Sequence, residues 1–274
     1  MNLTLGYSPC PNDTFMFYAL THGRVEVPGI TVSETLADVE TLNQRALDSE
    51  LDLTKVSFHA LAYLREDYCL LHSGAALGRG CGPLVVARAG ASLDALRGVV
   101  AVPGLYTTAY LLLKLYGGGL DKVAVMPFDS IMSAVARGEA EAGLVIHEGR
   151  FTYGGYGLVK LLDLGEWWEA ETGLPLPLGG ILARRALGRG VAASVERAVK
   201  ESILWARAHG GEAMSYIKEH AQEMDDDVVR RHIALYVNDF SLDLGAEGMR
   251  AVERLFGMAA KRGVLPASSA PLFL

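Results

Sequence analysis

The side chains best placed to do chemistry in this sequence follow short apolar runs. Gly143-Leu144-Val145-Ile146 delivers His147 and then Glu148. An imidazole, with an unperturbed pKa of about 6.5, suits proton transfer near neutrality, which makes His147 the candidate general base. The run from Leu51 to Val56 brings Lys55 and, just after it, Ser57. Gly98 to Val102 ends in Pro103-Gly104 and leads to Thr107, Thr108 and the amide of Ala109. Leu3 to Tyr7 runs into Ser8-Pro9-Cys10-Pro11-Asn12-Asp13-Thr14. Pro9 and Pro11 fix φ and remove two backbone donors, and Asn12, Asp13 and Thr14 are residue types that cap helix N-termini.

If the four runs are parallel strands within their sheets, Ser8, Asn12, Lys55, Ser57, Thr107, Thr108, Ala109 and His147 gather at C-terminal strand edges. Open α/β sheets bind small ligands there. Helix starts at the same edges favour an anion. Ser57 and Thr107 or Thr108 also read as ordinary N-caps. Cys10, with no histidine near it in sequence, reads as a small packed residue. Adjacent strand residues face opposite ways, so Glu148 reads as solvated beside His147.

The rest of the composition excludes more than it assigns. The chain has 274 residues, 50% of them hydrophobic, and a formal net charge of −7. That supports a sizeable core. With no block of basic residues, nucleic acid is not an expected partner. No apolar run reaches the roughly 18 residues of a membrane span. The chain opens on a strand rather than a basic, then apolar, leader, so a cytoplasmic protein is expected. Cys10, Cys69 and Cys81 form no C-x-x-C pair, and the histidines lack ligand spacing, so no metal site is expected. Walker, G-x-G-x-x-G, G-x-S-x-G and His-Glu-x-x-His motifs are absent.

Strand-like and helix-like segments alternate over the first two thirds, which predicts parallel sheets flanked by helices. The strand series restarts near Val99 after the glycine-rich stretch Gly74 to Pro83. The helix from Ala109 to Tyr116 is expected to stop at Gly117-Gly118-Gly119. From Val191 onward the period is helical: Val195–His209, Glu212–His220, Asp226–Val237 and Ala246–Lys261. Asp225-Asp226-Asp227 reads as an acidic helix start rather than a metal site. Two lobes follow, 1–86 with 184–274, and 87–183, with a cleft between them.

The motifs together resemble the 1,4-dihydroxy-6-naphthoate synthase family. The similarity lies in Ser-Pro-Cys-Pro-Asn-Asp-Thr-Phe at 8–15, Asp38-Val39-Glu40-Thr41-Leu42-Asn43, Leu53-Thr54-Lys55-Val56-Ser57 and Gly78-Arg79-Gly80-Cys81-Gly82-Pro83. It continues through Thr107-Thr108-Ala109-Tyr110, Ile146-His147-Glu148, Leu174-Pro175-Leu176-Pro177 and Tyr236-Val237-Asn238. The resemblance implies a two-lobed fold like type II periplasmic binding proteins and a cytoplasmic enzyme of menaquinone biosynthesis. It implies conversion of cyclic dehypoxanthinyl futalosine, a carboxylate, to 1,4-dihydroxy-6-naphthoate with release of dihydroxyacetone, without a cofactor. It puts the catalytic base on His147 and substrate binding on Lys55-Val56-Ser57 and Thr108-Ala109. Two other readings fit the same fold: a chorismate dehydratase, against which the elbow at 8–13 argues, and a non-catalytic small-anion binding protein, against which His147 argues.

Overall fold

The computed structural model describes residues 1–274 except 118, 119, 121, 222–224, 267 and 274. Gly118 and Gly119, read as part of a helix stop, lie outside the described residues; the stop begins at Gly117 with φ +88°.

The first sheet holds β1 (Asn2–Tyr7), β2 (Thr31–Leu36), β3 (Leu53–Ser57), β4 (Tyr68–Leu70) and β5 (Ala76–Gly78). The second holds β6 (Leu84–Arg88), β7 (Val99–Val102), β8 (Lys122–Val125), β9 (Ala142–Val145) and β10 (Leu158–Asp163), after which β11 (Leu176–Arg184) returns to the first. The helices are α1 (Pro11–Thr21), α2 (Val39–Leu47), α3 (Phe58–Leu64), α4 (Thr108–Tyr116), α5 (Phe128–Arg137) and α6 (Gly149–Thr152). They continue with α7 (Leu164–Thr172), α8 (Gly188–Ala208), α9 (Gly210–His220), α10 (Asp226–Tyr236), α11 (Asp239–Leu242) and α12 (Gly245–Lys261).

The first sheet runs β2-β1-β3-β11-β4, with β5 also on β11, and the second runs β10-β6-β9-β7-β8. Strand β1 is parallel to β2 and β3, and β7 is parallel to β8 and β9. The four strands that carry the chemistry-bearing residues therefore point their C-terminal ends the same way within each sheet. One strand in each sheet is reversed: β11 against β3, β4 and β5, and β6 against β9 and β10.

The sheet pairing changes somewhat ahead of 86/87 and 183/184. Strand β6 already pairs with β9 from Leu84, and β11 pairs with β5 from Leu176. The chain changes sheets earlier, in the glycine-rich stretch after Gly78 and again after Gly173, where no ladder bond has to be broken. The first of these crossings is tight. A Cβ on Gly165, at the start of α7, would lie 2.3 Å from the Cys81 carbonyl oxygen. Gly82, at φ +157°, would carry a Cβ 2.8 Å from the Gly165 backbone.

Helix α1 is buried on nearly every face, held by α8, α9 and α10, so the C-terminal helices pack back onto the first sheet. Ser202 of α8 donates to the Met16 carbonyl at 2.6 Å and accepts from the Leu20 amide at 3.1 Å, stitching α1 to α8. Asp225 caps α10 by accepting from the Asp227 and Val228 amides, as an acidic helix start does.

The crossing supplies a stability test. Gly165→Ala should lower stability by about 1–3 kcal/mol through overpacking against the Cys81 carbonyl. Gly257→Ala, exposed within α12 with nothing near its Cβ position, should raise it by about 0.5–1 kcal/mol. Thermal or urea unfolding of both variants checks the pair; equal effects would contradict the packing described.

Candidate active site

Tight packing around one buried carboxylate builds the site. Asp13 sits in the first turn of α1, 2% exposed. Its Oδ1 accepts from Lys55 Nζ at 2.7 Å and from Asn12 Nδ2 at 2.7 Å. Its Oδ2 accepts from the Ser8 hydroxyl at 2.8 Å and the Ser8 amide at 3.2 Å. The Asp13–Lys55 pair is buried on both sides, which is tolerable only because each carboxylate oxygen is satisfied by two donors.

The elbow residues therefore do not cap α1. Its N-cap is Cys10 with Pro11 at N1, and no side chain caps the helix; the carboxylate that could have capped it is spent on Lys55. Thr14 donates back to the Cys10 carbonyl at 3.0 Å. Ser57 stands at the N-cap of α3 but makes no cap bond. Its amide donates to Asn43 Oδ1 at 2.9 Å and its hydroxyl accepts from Asn43 Nδ2 at 3.3 Å, which fixes it against α2. Thr107 does cap α4, accepting from the Tyr110 amide at 3.2 Å. The Leu111 amide takes the Thr107 carbonyl, while those of Thr108 and Ala109, the first two of the helix, have no acceptor four residues back.

Three contacts join the first sheet to the second around this point. Glu40 of α2 accepts from the Tyr106 amide at 3.2 and 3.3 Å. His59 Nδ1 donates to the Thr107 carbonyl at 3.1 Å. The Thr108 hydroxyl donates to the Leu178 carbonyl at 2.6 Å.

His147 closes the other side. It follows β9 with φ +54°, a left-handed conformation that few non-glycine residues adopt. The turn is held by Arg150, which donates to the Gly82 carbonyl at 2.9 Å and to Asp163 at 2.7 Å. Phe128 lies against the imidazole, ring centres 5.0 Å apart. Burial pushes the His147 pKa down to about 4, with Asp13 opposing and Lys55 reinforcing the shift. The ring is neutral at neutral pH and its lone pair is available to take a proton.

One cavity is lined by Ser8, Asn12, Asp13, Lys55, Val56, Ser57, Thr107, Thr108, Ala109 and His147 together. Every site residue singled out from the sequence lines it. It is also lined by two residues of α10: Tyr236, quoted above only as part of a motif, and His232, not singled out from the sequence. The signal available was a histidine on the apolar face of α10, in step with the buried Val229 and Tyr236.

Glu148 is not solvated. It is 8% exposed, because the left-handed turn at His147 ends the strand alternation and folds Glu148 inward, 3.8 Å from His232 Nδ1. Cys10, His147 and Glu148 each bring a donor atom within 4.8 Å of the others, a thiol–imidazole–carboxylate set that could hold a zinc-like ion and that no sequence spacing reveals. Burial, and then the Glu148 charge, push the Cys10 thiol well above its usual range, so as a free side chain it is a packed thiol rather than a nucleophile.

A menaquinone-biosynthesis family model matches residues 3–261. The chain belongs to that family. It is 57% identical to the 1,4-dihydroxy-6-naphthoate synthase of Thermus thermophilus over 99% of both chains. It is 50% identical to the enzyme of that name from Streptomyces coelicolor, over 97% of this chain and 95% of that one. A crystal structure of an Archaeoglobus fulgidus protein, 40% identical, superposes with a TM-score of 0.92 over 96% of this chain and 98% of that one. A Candida albicans protein with the generic periplasmic binding protein fold superposes at 0.73 over 98% and 92%; at 13% identity it speaks to fold alone. The resemblance and fold class read from the sequence both hold. Among the described residues no helix is long and apolar enough to cross a membrane.

The histidines make a pH prediction. His147 and His59 both have folded pKa values near 4, below the ordinary 6.5, mainly through burial. As pH falls from about 6.5 towards 4, the unfolded chain takes up protons that the folded chain refuses, so stability falls across that window. Urea unfolding between pH 7.5 and 4.5 should show this slope, and His147→Asn should flatten part of it. Wild-type and variant slopes that coincide would contradict a lowered His147 pKa.

Proposed function

We propose that this chain converts cyclic dehypoxanthinyl futalosine to 1,4-dihydroxy-6-naphthoate and dihydroxyacetone, with His147 as the base. The observation that carries the reading is 57% and 50% identity, over nearly the full chain, to enzymes named for that product, joined to an imidazole of lowered pKa in the cavity that the start of α4 also lines.

The substrate carboxylate sits at the N-terminus of α4, on the Thr108 and Ala109 amides and the Ser57 hydroxyl, where the helix dipole favours negative charge. Lys55 gives one N–H to Asp13 and keeps two donors for the substrate. Val56 contributes main chain at this wall; Gly179 across from it allows close approach, since a Cβ there would lie 2.7 Å from the Val56 carbonyl oxygen. His147 takes a proton from the carbocycle, next to an oxygenated carbon. The electron pair released breaks the bond to the sugar-derived fragment and forms the second aromatic ring. The imidazolium returns its proton to the departing fragment, so the enzyme ends neutral. Aromatisation supplies the driving force, and the residues need only align the base and exclude water. We take the two sheets as the cores of two lobes whose approach completes the cavity, in an enzyme working in the cytoplasm.

The test is turnover. Purified protein incubated with cyclic dehypoxanthinyl futalosine should release 1,4-dihydroxy-6-naphthoate; with chorismate it should release no 3-enolpyruvylbenzoate. His147→Ala should fold normally and lose about 10²–10⁴-fold in kcat. Stoichiometric binding without product, or a well-folded His147→Ala with near-normal turnover, would overturn the reading.

A further inference from the structure

His232 lies on α10, 1% exposed, and lines the same cavity as His147. The two imidazoles face each other with ring centres 6.2 Å apart and planes 19° apart. The tautomer of His232 follows from its neighbours. Asp13 Oδ1 accepts from Asn12 Nδ2 at 2.7 Å, and a carboxylate can only accept, so the Asn12 amide turns its nitrogen to Asp13 and its oxygen to His232. Asn12 Oδ1, 2.8 Å from His232 Nε2, can also only accept. The proton of His232 is therefore on Nε2.

Nδ1 is then a bare lone pair. It is buried and makes no hydrogen bond among the described residues; the Glu148 carboxylate lies 3.8 Å away, too far for a hydrogen bond. A buried acceptor left without a donor costs free energy, and one fixed by a three-residue chain from Asp13 is held for a donor that arrives from outside.

Resting on the function proposed above, we propose that His232 Nδ1 accepts a hydroxyl of the sugar-derived part of the substrate. The carboxylate end then lies at the start of α4 and the polyol end against α10, with the carbon to be deprotonated between them at His147. His232 is a substrate-binding and specificity-determining residue. It selects a polyhydroxylated fragment and sets the direction in which the substrate enters.

Two substitutions separate this role from a structural one. Glutamine at 232 can keep an N–H for Asn12 but has no acceptor at the Nδ1 position. Asparagine can keep an acceptor there but loses the Asn12 bond. For His232→Gln, kcat/KM with cyclic dehypoxanthinyl futalosine should fall about ten- to a hundredfold. Its melting temperature and its affinity for 1,4-dihydroxy-6-naphthoate, which lacks the polyol, should stay close to wild type. His232→Asn should retain more activity than His232→Gln, a ranking that holds even if both variants are less stable. The opposite ranking, or a fall in naphthoate affinity that matches the fall in kcat/KM, would overturn the proposal and leave His232 as packing. A wild-type protein that does not turn the substrate over would instead sink the function on which the proposal rests.

Discussion

The site depends on one buried carboxylate. Asp13 accepts four hydrogen bonds, two on each oxygen, from Ser8, Asn12 and Lys55. Those residues come from the end of β1, the start of α1 and the body of β3. A carboxylate this deep is stable only when every lone pair is answered, and that requirement fixes three elements at once. It also fixes the direction of the Asn12 amide, and through it the proton on His232. A single acceptor thus orients a lysine, an amide and an imidazole in one wall of the cavity.

The opposite wall is set by backbone. Thr107 caps α4 and leaves the next two amides at the tip, while Glu40, His59 and the Leu178 carbonyl hold that tip against the first sheet. His147 arrives through a left-handed turn pinned by Arg150. Electrostatics then separates the tasks: a helix start favours negative charge, Lys55 gives one of its three N–H donors to Asp13, and burial lowers the His147 pKa.

Much of this was legible in the sequence. Polar residues following apolar runs marked all four strand ends, and parallel pairing brought them together as expected. The misreadings share a cause. Asn12, Asp13 and Ser57 look like caps because cap chemistry is local, but each finds a tertiary partner that competes with its own helix. Glu148 looks solvated because strand alternation was extended one residue past its end. His232 lies more than two hundred residues from Asn12, and only the packing of α10 on α1 joins them; no spacing rule reports that. A strand's hydrophobic pattern does not say which sheet it joins, so the points where the chain changes sheets are visible only in the pairing.

The central claim is that one cavity binds the carboxylate at the start of α4 and presents the ring to a neutral His147. A crystal structure with 1,4-dihydroxy-6-naphthoate bound tests it most directly. The account predicts the carboxylate on the Thr108 and Ala109 amides and the Ser57 hydroxyl, with the ring against His147. Naphthoate bound outside this cavity, or with its carboxylate on the His147 and His232 side, would contradict it.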